Sequence, residues 1–269
     1  MSDTKSHRAF WFSLLLFTVL TFGLSWTIWI FGLPVSNWYL VAGSFAPTVC
    51  GIVVTALFDG KAGLKQIMEK LFIWRVNPLW YVFSFGSTAL VVGLALAWYR
   101  SIGGVVIQTN DPRQWYLAIP AFFQILFLSV LGEEIGWRGF ALPRMQAKMG
   151  ALLASVLLGL VWSLWHLPLF WHAGNFHSQL PISLFLLQST ALSILITWLY
   201  NASGSSLLLV HLFHTASNLT LGVLPILPQN TGGDLRPLWA AVGLLWVLTL
   251  SVVIGSRGKL GYKEKPWLK

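Results

Sequence analysis

The sequence predicts an all-α membrane protein with about eight transmembrane helices, and two observations carry this prediction. Apolar residues make up 56% of the 269 residues and charged residues only 9%, whereas roughly one-quarter of a soluble domain is charged. Several apolar runs also exceed the ~20 residues that an α-helix needs to cross a hydrocarbon core. Because none of these runs alternates as the strands of a membrane barrel do, we expect helices throughout.

The eight predicted spans lie on the apolar runs between charged and turn-forming segments. Their predicted bounds are about 9–32, 37–57, 78–99, 115–136, 150–171, 181–200, 205–226 and 237–255. No internal repeat or long linker divides the chain, so residues 1–269 form one predicted transmembrane domain. In the connection between spans two and three, Leu64, Ile67 and Leu71 recur at helical spacing, which predicts an amphipathic surface helix.

The basic residues predict the orientation in the membrane. The net charge is +9, and with both termini in the cytoplasm fourteen basic residues face that side: Lys5, Arg8, Lys61, Lys65, Lys70, Arg75, Arg138, Arg144, Lys148, Arg257, Lys259, Lys263, Lys265 and Lys269. Only Arg100, Arg113 and Arg236 face the other side. Since basic residues concentrate on the cytoplasmic side of membrane proteins, this asymmetry explains the charge without a nucleic-acid partner. The expected location is the lipid bilayer of a bacterial inner membrane.

Two adjacent glutamates, Glu133 and Glu134, interrupt the apolar sequence in "LGEEIGWRGFALP". A carboxylate at membrane depth costs about 2.5–3.5 kcal/mol on insertion scales, so such residues usually face a bundle interior and mark function. Glu134 and Arg138 have the i,i+4 spacing that favours an ion pair. Glu133 points away from Arg138 and has no charged partner on its own helix.

The following span offers Glu133 a partner. It carries His166 in the otherwise apolar "VWSLWHLP". The turn between the two spans is predicted at Met149 and Gly150, because glycine often ends a helix. Glu133 and His166 are almost equally far from this turn, roughly 25 Å in an antiparallel pair. We therefore expect their side chains to meet.

The seventh span adds a polar face. In "HLFHTASN", His211, His214 and Asn218 share one side of a helix. That side must face inward, because lipid offers these groups no hydrogen-bond partners. The cluster alone could serve ordinary interhelical hydrogen bonding. Together with Glu133 and His166, it provides a base and donors that could activate a water and stabilise an oxyanion.

Three motifs on successive predicted helices then match a family. "EEIGWR" fits the pattern EExxxR, "WSLWH" resembles FxxxH and "HTASN" fits HxxxN. The chain therefore resembles the CPBP family of intramembrane proteases, which includes the CAAX prenyl endopeptidase Rce1 and bacteriocin-processing and self-immunity proteins. The resemblance covers the motif-bearing core, about residues 115–225.

The resemblance implies hydrolysis of a peptide bond within the membrane, in a hydrophobic or lipid-modified peptide or a membrane-protein tail. It implies that Glu133 and His166 activate the water and that His214 and Asn218 form the oxyanion hole. The expected enzyme is a glutamate-dependent protease for which no cofactor is expected, with zinc kept as an alternative.

Four further residues are expected in supporting roles, two of them from the resemblance. Glu134 and Arg138 would maintain the architecture, and His211 lies on the same helix face as the oxyanion-hole residues. Trp162 stands where the family usually has phenylalanine. This departure keeps an aromatic ring and so bears on the shape of the pocket more than on catalysis.

Three alternatives stay open at this point. Glu133, His166 and His214 are residue types that could bind Zn²⁺, although the sequence contains no HExxH motif. Intramembrane Glu and His are also expected in an ion- or proton-coupled transporter, but the repeated halves common in transporters are absent from the sequence. A non-catalytic immunity protein that binds a peptide would keep the same fold and motifs.

Overall fold

The fold is built from helices, with no strand, over the residues that the computed structural model describes, 2–107 and 112–263. Side chains are described from Ala9 onward except at 112 and 113. Twelve α-helical segments occur in these residues: α1 (Ser2–Gly32), α2 (Trp38–Ser44), α3 (Ala46–Phe58), α4 (Gly60–Leu71), α5 (Leu79–Ser101), α6 (Ala118–Ile125), α7 (Leu131–Glu134), α8 (Leu142–Met149), α9 (Ala151–Trp165), α10 (Ile182–Ala202), α11 (Leu207–Val223) and α12 (Arg236–Gly255).

Shorter helical segments connect several of these helices. Four are 3₁₀ turns: Pro112–Leu117, Leu167–Trp171, Phe176–Gln179 and Pro228–Asn230. Two are π-helical: Leu126–Val130 and Ile135–Ala141.

Eight helical stretches of the described chain are long and apolar enough to span a membrane. They are Ala9–Gly32, Trp38–Phe58, Leu79–Ser101, Gln114–Met149, Ala151–Trp171, Ile182–Ala202, Leu207–Asn230 and Arg236–Gly255. Large apolar side chains such as Phe31, Leu57 and Ile254 cover their outer surfaces. These findings confirm the prediction of an all-α integral membrane protein.

The fourth span differs most from its prediction. We expected it to end near residue 136, but helical structure continues to Met149, where Gly150 turns the chain with a φ of +77°. The two π-helical segments lie immediately before and after α7, the helical turn that contains Glu133 and Glu134. Since the wider π turn redirects the side chains that follow it, π segments are frequent at functional sites.

Close backbone contacts fix this part of the fourth span against the second. The Thr48 hydroxyl donates to the carbonyl oxygen of Leu131 at 2.8 Å. At Gly136, a Cβ atom would overlap the carbonyl group of Pro47. Glycine is therefore required here to let the two helices approach. These contacts set the position of Glu133 and Glu134 relative to α3.

The predicted surface helix between spans two and three is present as α4. Its Ile67 is buried, only 5% exposed, and its Cγ2 atom would lie 3.7 Å from a Cβ atom at Gly139 of the fourth span. The helix thus packs against the segment that follows the glutamates.

The predicted orientation, with both termini in the cytoplasm, stays a prediction. Five residues of the charge count have side chains outside the described part of the chain: Lys5, Arg8, Arg113, Lys265 and Lys269.

Candidate active site

A cavity of about 540 Å³ lies between the second, fourth, fifth, sixth and seventh spans and the loop that follows the fifth. Most of its wall is apolar. Five of the residues that the sequence singled out line it: Glu133, Trp162, His166, His214 and Asn218.

Glu133 is held at the wall of this cavity by two donors. Its side chain is only 3% exposed. The indole Nε1 of Trp162 donates to its Oε2 at 2.8 Å, and the hydroxyl of Ser129 donates to its Oε1 at a longer 3.4 Å. Uncharged donors thus orient the carboxylate without neutralising it.

The expected direct contact between Glu133 and His166 is absent from the hydrogen bonds of the described chain. His166 directly follows the end of α9, and its Nδ1 lies 2.8 Å from the carbonyl oxygen of Trp162, one turn earlier. The depth argument was therefore right in bringing both residues to one cavity, although no hydrogen bond joins them in the described chain. The Trp162 indole occupies the position beside the carboxylate that we expected His166 to fill.

The hydrogen bond of His166 defines which ring nitrogen carries the proton. A carbonyl oxygen only accepts, so Nδ1 is the donor and the neutral ring has its lone pair at Nε2. This Nε2 has no partner in the described chain, and it is not among the fully buried unpaired atoms. It therefore faces the cavity as a hydrogen-bond acceptor.

Glu134 and Arg138 form the predicted i,i+4 ion pair. Arg138 Nη1 donates to Glu134 Oε1 at 2.8 Å, and both side chains are fully buried. The same oxygen lies 2.7 Å from Nδ1 of His214 on α11. Because a carboxylate paired with arginine only accepts, His214 must donate from Nδ1. Glu134 thus connects the fourth span to the seventh.

Trp162 has more contacts within the site than its sequence position suggested. Besides donating to Glu133, its ring lies 4.5 Å from the guanidinium carbon of Arg138. Its ring also meets those of His166 and His214 edge to face, with centroids 5.7 and 5.2 Å apart. Phenylalanine could provide the packing but not the N–H donor.

The two other polar residues predicted on the seventh span, Asn218 and His211, lie in different surroundings. Asn218 is half-buried and lines the cavity with His214. His211 does not line it: its Nδ1 donates to the carbonyl oxygen of Leu207 at 2.6 Å, and its Nε2 is buried. The shared helix face is confirmed as inward-facing, and only its later part reaches the cavity.

The side chains considered as zinc ligands do not form a ligand set in this structure. Among the described residues, no three His, Cys, Asp or Glu side chains are grouped closely enough to hold one metal ion. Trp162 occupies the space beside Glu133, and Glu134 takes Nδ1 of His214.

Two cavity residues have no signal in the sequence. Asn175 and His177 belong to the loop after the fifth span, and both line the cavity. The ring of His177 stacks on that of His166, with centroids 5.0 Å apart and planes at 29°. A loop has no periodic pattern, so its position over the site could be known only from the tertiary structure.

Comparison with known proteins agrees with the motif resemblance. Residues 114–220 match the family model described as Type II CAAX prenyl endopeptidase Rce1-like. The chain is also 26% identical over 232 residues to CAAX prenyl protease 2 of Methanococcus maripaludis, an alignment that covers 78% of this chain and 84% of the relative. The matched family region begins in the fourth span and ends in the seventh, the spans that contribute all three motifs.

Proposed function

We infer, from the match to the Rce1-like family model and the similarity to a CAAX prenyl protease, that this integral membrane protein is an intramembrane endopeptidase. We propose that it hydrolyses a peptide bond in a hydrophobic or lipid-modified peptide or in the tail of a membrane protein. The single observation that supports this best is the Glu133 carboxylate, held by uncharged donors at the wall of a largely apolar cavity.

In the proposed reaction, Glu133 activates a water molecule. The carboxylate accepts a proton from the water as the water oxygen attacks the carbonyl carbon of the substrate. His166 faces the same cavity with the lone pair of Nε2, so it is suited to accept the second hydrogen bond of that water. Two acceptors on one water leave its own lone pair directed at the substrate.

The oxygen of the attacked carbonyl becomes an anion and requires donors. Asn218 can supply its amide N–H. His214 can donate from Nε2 only if both ring nitrogens carry protons, because Nδ1 already donates to Glu134. The 2.7 Å hydrogen bond to Glu134 fixes the orientation of this ring. Glu134 therefore contributes to the oxyanion hole through His214.

Collapse of the tetrahedral intermediate breaks the bond between carbonyl carbon and nitrogen. The departing nitrogen needs a proton, and Glu133 holds the one that it took from the water. Returning that proton to the amine restores the carboxylate for the next cycle. No other co-reactant is required.

A pair of amide variants tests the proposal. Glu133→Gln keeps the side-chain volume and can still accept the indole hydrogen bond, but it cannot accept a proton from water. We expect it to lower kcat for cleavage of an S-farnesylated CAAX peptide by about 10²–10⁴-fold while the protein remains folded and still binds the peptide.

Glu134→Gln is the matched control, because it makes the same change at the adjacent residue. It removes the carboxylate that pairs with Arg138 and accepts a hydrogen bond from His214, so we expect a larger loss of stability and a smaller loss of kcat. Near wild-type cleavage by purified Glu133→Gln would exclude this carboxylate as the base. Tight peptide binding without cleavage by the wild-type protein would instead favour the non-catalytic immunity function.

A further inference from the structure

The loop that follows the fifth span places a second histidine, His177, beside His166. The proposed mechanism does not use it. Besides stacking on His166, the His177 ring contacts Phe185 of α10, with centroids 5.0 Å apart and planes at 72°. The loop thereby becomes part of the cavity wall.

Two hydrogen bonds to one side chain fix the orientation of His177. Oδ1 of Asn175 lies 3.1 Å from the backbone nitrogen of His177 and 2.8 Å from its Nδ1. A backbone N–H can only donate, so the Asn175 atom that receives it must be the amide oxygen. That oxygen cannot donate in turn, and Nδ1 therefore carries the ring proton.

The Nε2 atom of His177 is consequently an acceptor. Burial lowers the pKa of His177 to about 3, so the ring stays neutral at physiological pH. Its Nε2 has no partner in the described chain, and it is not among the fully buried unpaired atoms. Since His177 lines the cavity, this lone pair is available to a bound molecule.

An extended peptide would need such an acceptor. Water is scarce in an apolar cavity at membrane depth, and an unsatisfied backbone N–H there costs free energy comparable to a lost hydrogen bond. Glu133 and Nε2 of His166 are already required by the water. We propose that His177 is a substrate-binding residue whose Nε2 accepts a hydrogen bond from a backbone N–H of the bound peptide, close to the scissile bond.

This inference rests on the proposed function, because its ligand is the peptide that the active site would cleave. The competing explanation is that His177 only packs among aromatic rings. Against packing alone, the ring has Phe170, Phe176 and Phe185 as neighbours and a phenylalanine would fill the same space. A histidine locked by Asn175 adds a directed acceptor, which phenylalanine lacks.

The test measures peptide binding with cleavage switched off. In the full-length Glu133→Gln protein, reconstituted in nanodiscs, the dissociation constant of a fluorescent S-farnesylated CAAX peptide is compared with and without His177→Phe. Phenylalanine keeps the ring packing and removes the acceptor. We expect the dissociation constant to rise about 3- to 10-fold, as for the net loss of one hydrogen bond. His172→Phe, in the same loop but outside the cavity lining, should leave it unchanged.

Backbone N-methylation of the peptide identifies the donor. One N-methylated position should weaken binding to the parent protein by the same factor and have no further effect in the His177→Phe protein. Unchanged binding by His177→Phe, or N-methyl penalties that are identical in both proteins, would overturn the inference. The two proposals can be refuted independently. Cleavage by the wild type tests the protease activity, and the N-methyl effect compared between the two proteins tests the role of His177 in peptide binding. A wild type that neither binds nor cleaves this peptide would overturn both for this peptide class.

Discussion

The indole Nε1 of Trp162 donates a 2.8 Å hydrogen bond to Oε2 of Glu133, the carboxylate that we propose as the base. This contact joins the first and second sequence motifs. A phenylalanine at position 162 could not make it, because its ring has no N–H donor. The indole therefore gives this chain a means of orienting the glutamate.

Trp162→Phe should lower kcat for peptide cleavage by about 3- to 30-fold with little change in KM. The carboxylate would lose its shorter hydrogen bond and keep only the longer one from Ser129, so the activated water would be less well positioned. Steady-state kinetics of the purified variant provides the measurement.

Trp26→Phe is the control for that change. It also removes an indole N–H, in this case one that donates to the carbonyl oxygen of Trp165 at 2.9 Å. We expect similar thermal destabilisation and unchanged kcat. Equal losses of kcat in the two variants would mean that the Trp162 effect is structural and not specific to Glu133.

Arg138→Met should severely destabilise the protein, by about 3–5 kcal/mol, because it leaves the buried Glu134 without the arginine of its ion pair. Combining it with Glu134→Gln removes both charges and should recover much of the lost melting temperature in detergent. A singly substituted Arg138→Met protein that folds normally but cannot cleave peptide would contradict this structural role and indicate a direct one.

Gly136→Ala should destabilise the protein by about 1–3 kcal/mol, since its Cβ would force the Pro47 backbone away from the fourth span. Gly93→Ala on α5 is the control, because no atom lies within 4 Å of a Cβ there. Gly93→Ala should change the melting temperature no more than an ordinary substitution on an exposed helix surface does. Equal melting temperatures for the two variants would show that the second and fourth spans can separate at no cost.

The orientation follows from the charges and can be tested separately. We expect cysteines introduced near both termini to react with a membrane-impermeant reagent only after cells are opened, because basic residues concentrate on the cytoplasmic side. Labelling of either terminus in intact cells would refute the orientation with both ends in the cytoplasm.

The sequence allowed the helical architecture to be predicted well, because span length and apolarity are local properties. It also predicted the pair of Glu134 and Arg138, since i,i+4 geometry is fixed by the helix itself. The fourth span was harder. Its π-helical segment Ile135–Ala141 packs against α3, whereas Leu126–Val130 packs against α2 and α11. Nothing in the local sequence of Leu126–Val130 distinguishes it from an ordinary helical turn.

For contacts between helices, the sequence predicted which residues lie at the same depth in the membrane but not which side chains touch. Counting residues from Gly150 correctly brought Glu133 and His166 to one cavity, but it could not tell which neighbouring ring takes the carboxylate. Trp162 and His166 lie one turn apart on the same face, so both were candidates, and only the tertiary packing selects the indole. His177 lay beyond prediction because its loop has no helical register.

Lowering the pH should destabilise the wild-type protein through His177. Burial lowers the pKa of this histidine to about 3, whereas an unfolded histidine titrates near 6.5. The unfolded state therefore binds the proton first as the pH falls. The contribution of neutral His177 to the free energy of unfolding is complete above about pH 6.5. Below that pH it is lost, by at most about 1.4 kcal/mol per pH unit, until the pKa of the folded state is reached.

His177→Phe lacks this titration, so the comparison of the two proteins tests it directly. At pH 7.5 the wild type should be the more stable, because the variant has lost the hydrogen bond from Nδ1 to Asn175. Between pH 6.5 and pH 5 the difference in melting temperature should shrink and can reverse, since only the wild type must bury a ring that protonates readily when unfolded. If the difference in melting temperature stayed constant from pH 7.5 to pH 5, His177 would be accessible enough to be protonated in the folded protein. A permanently neutral acceptor at this position would then have no basis.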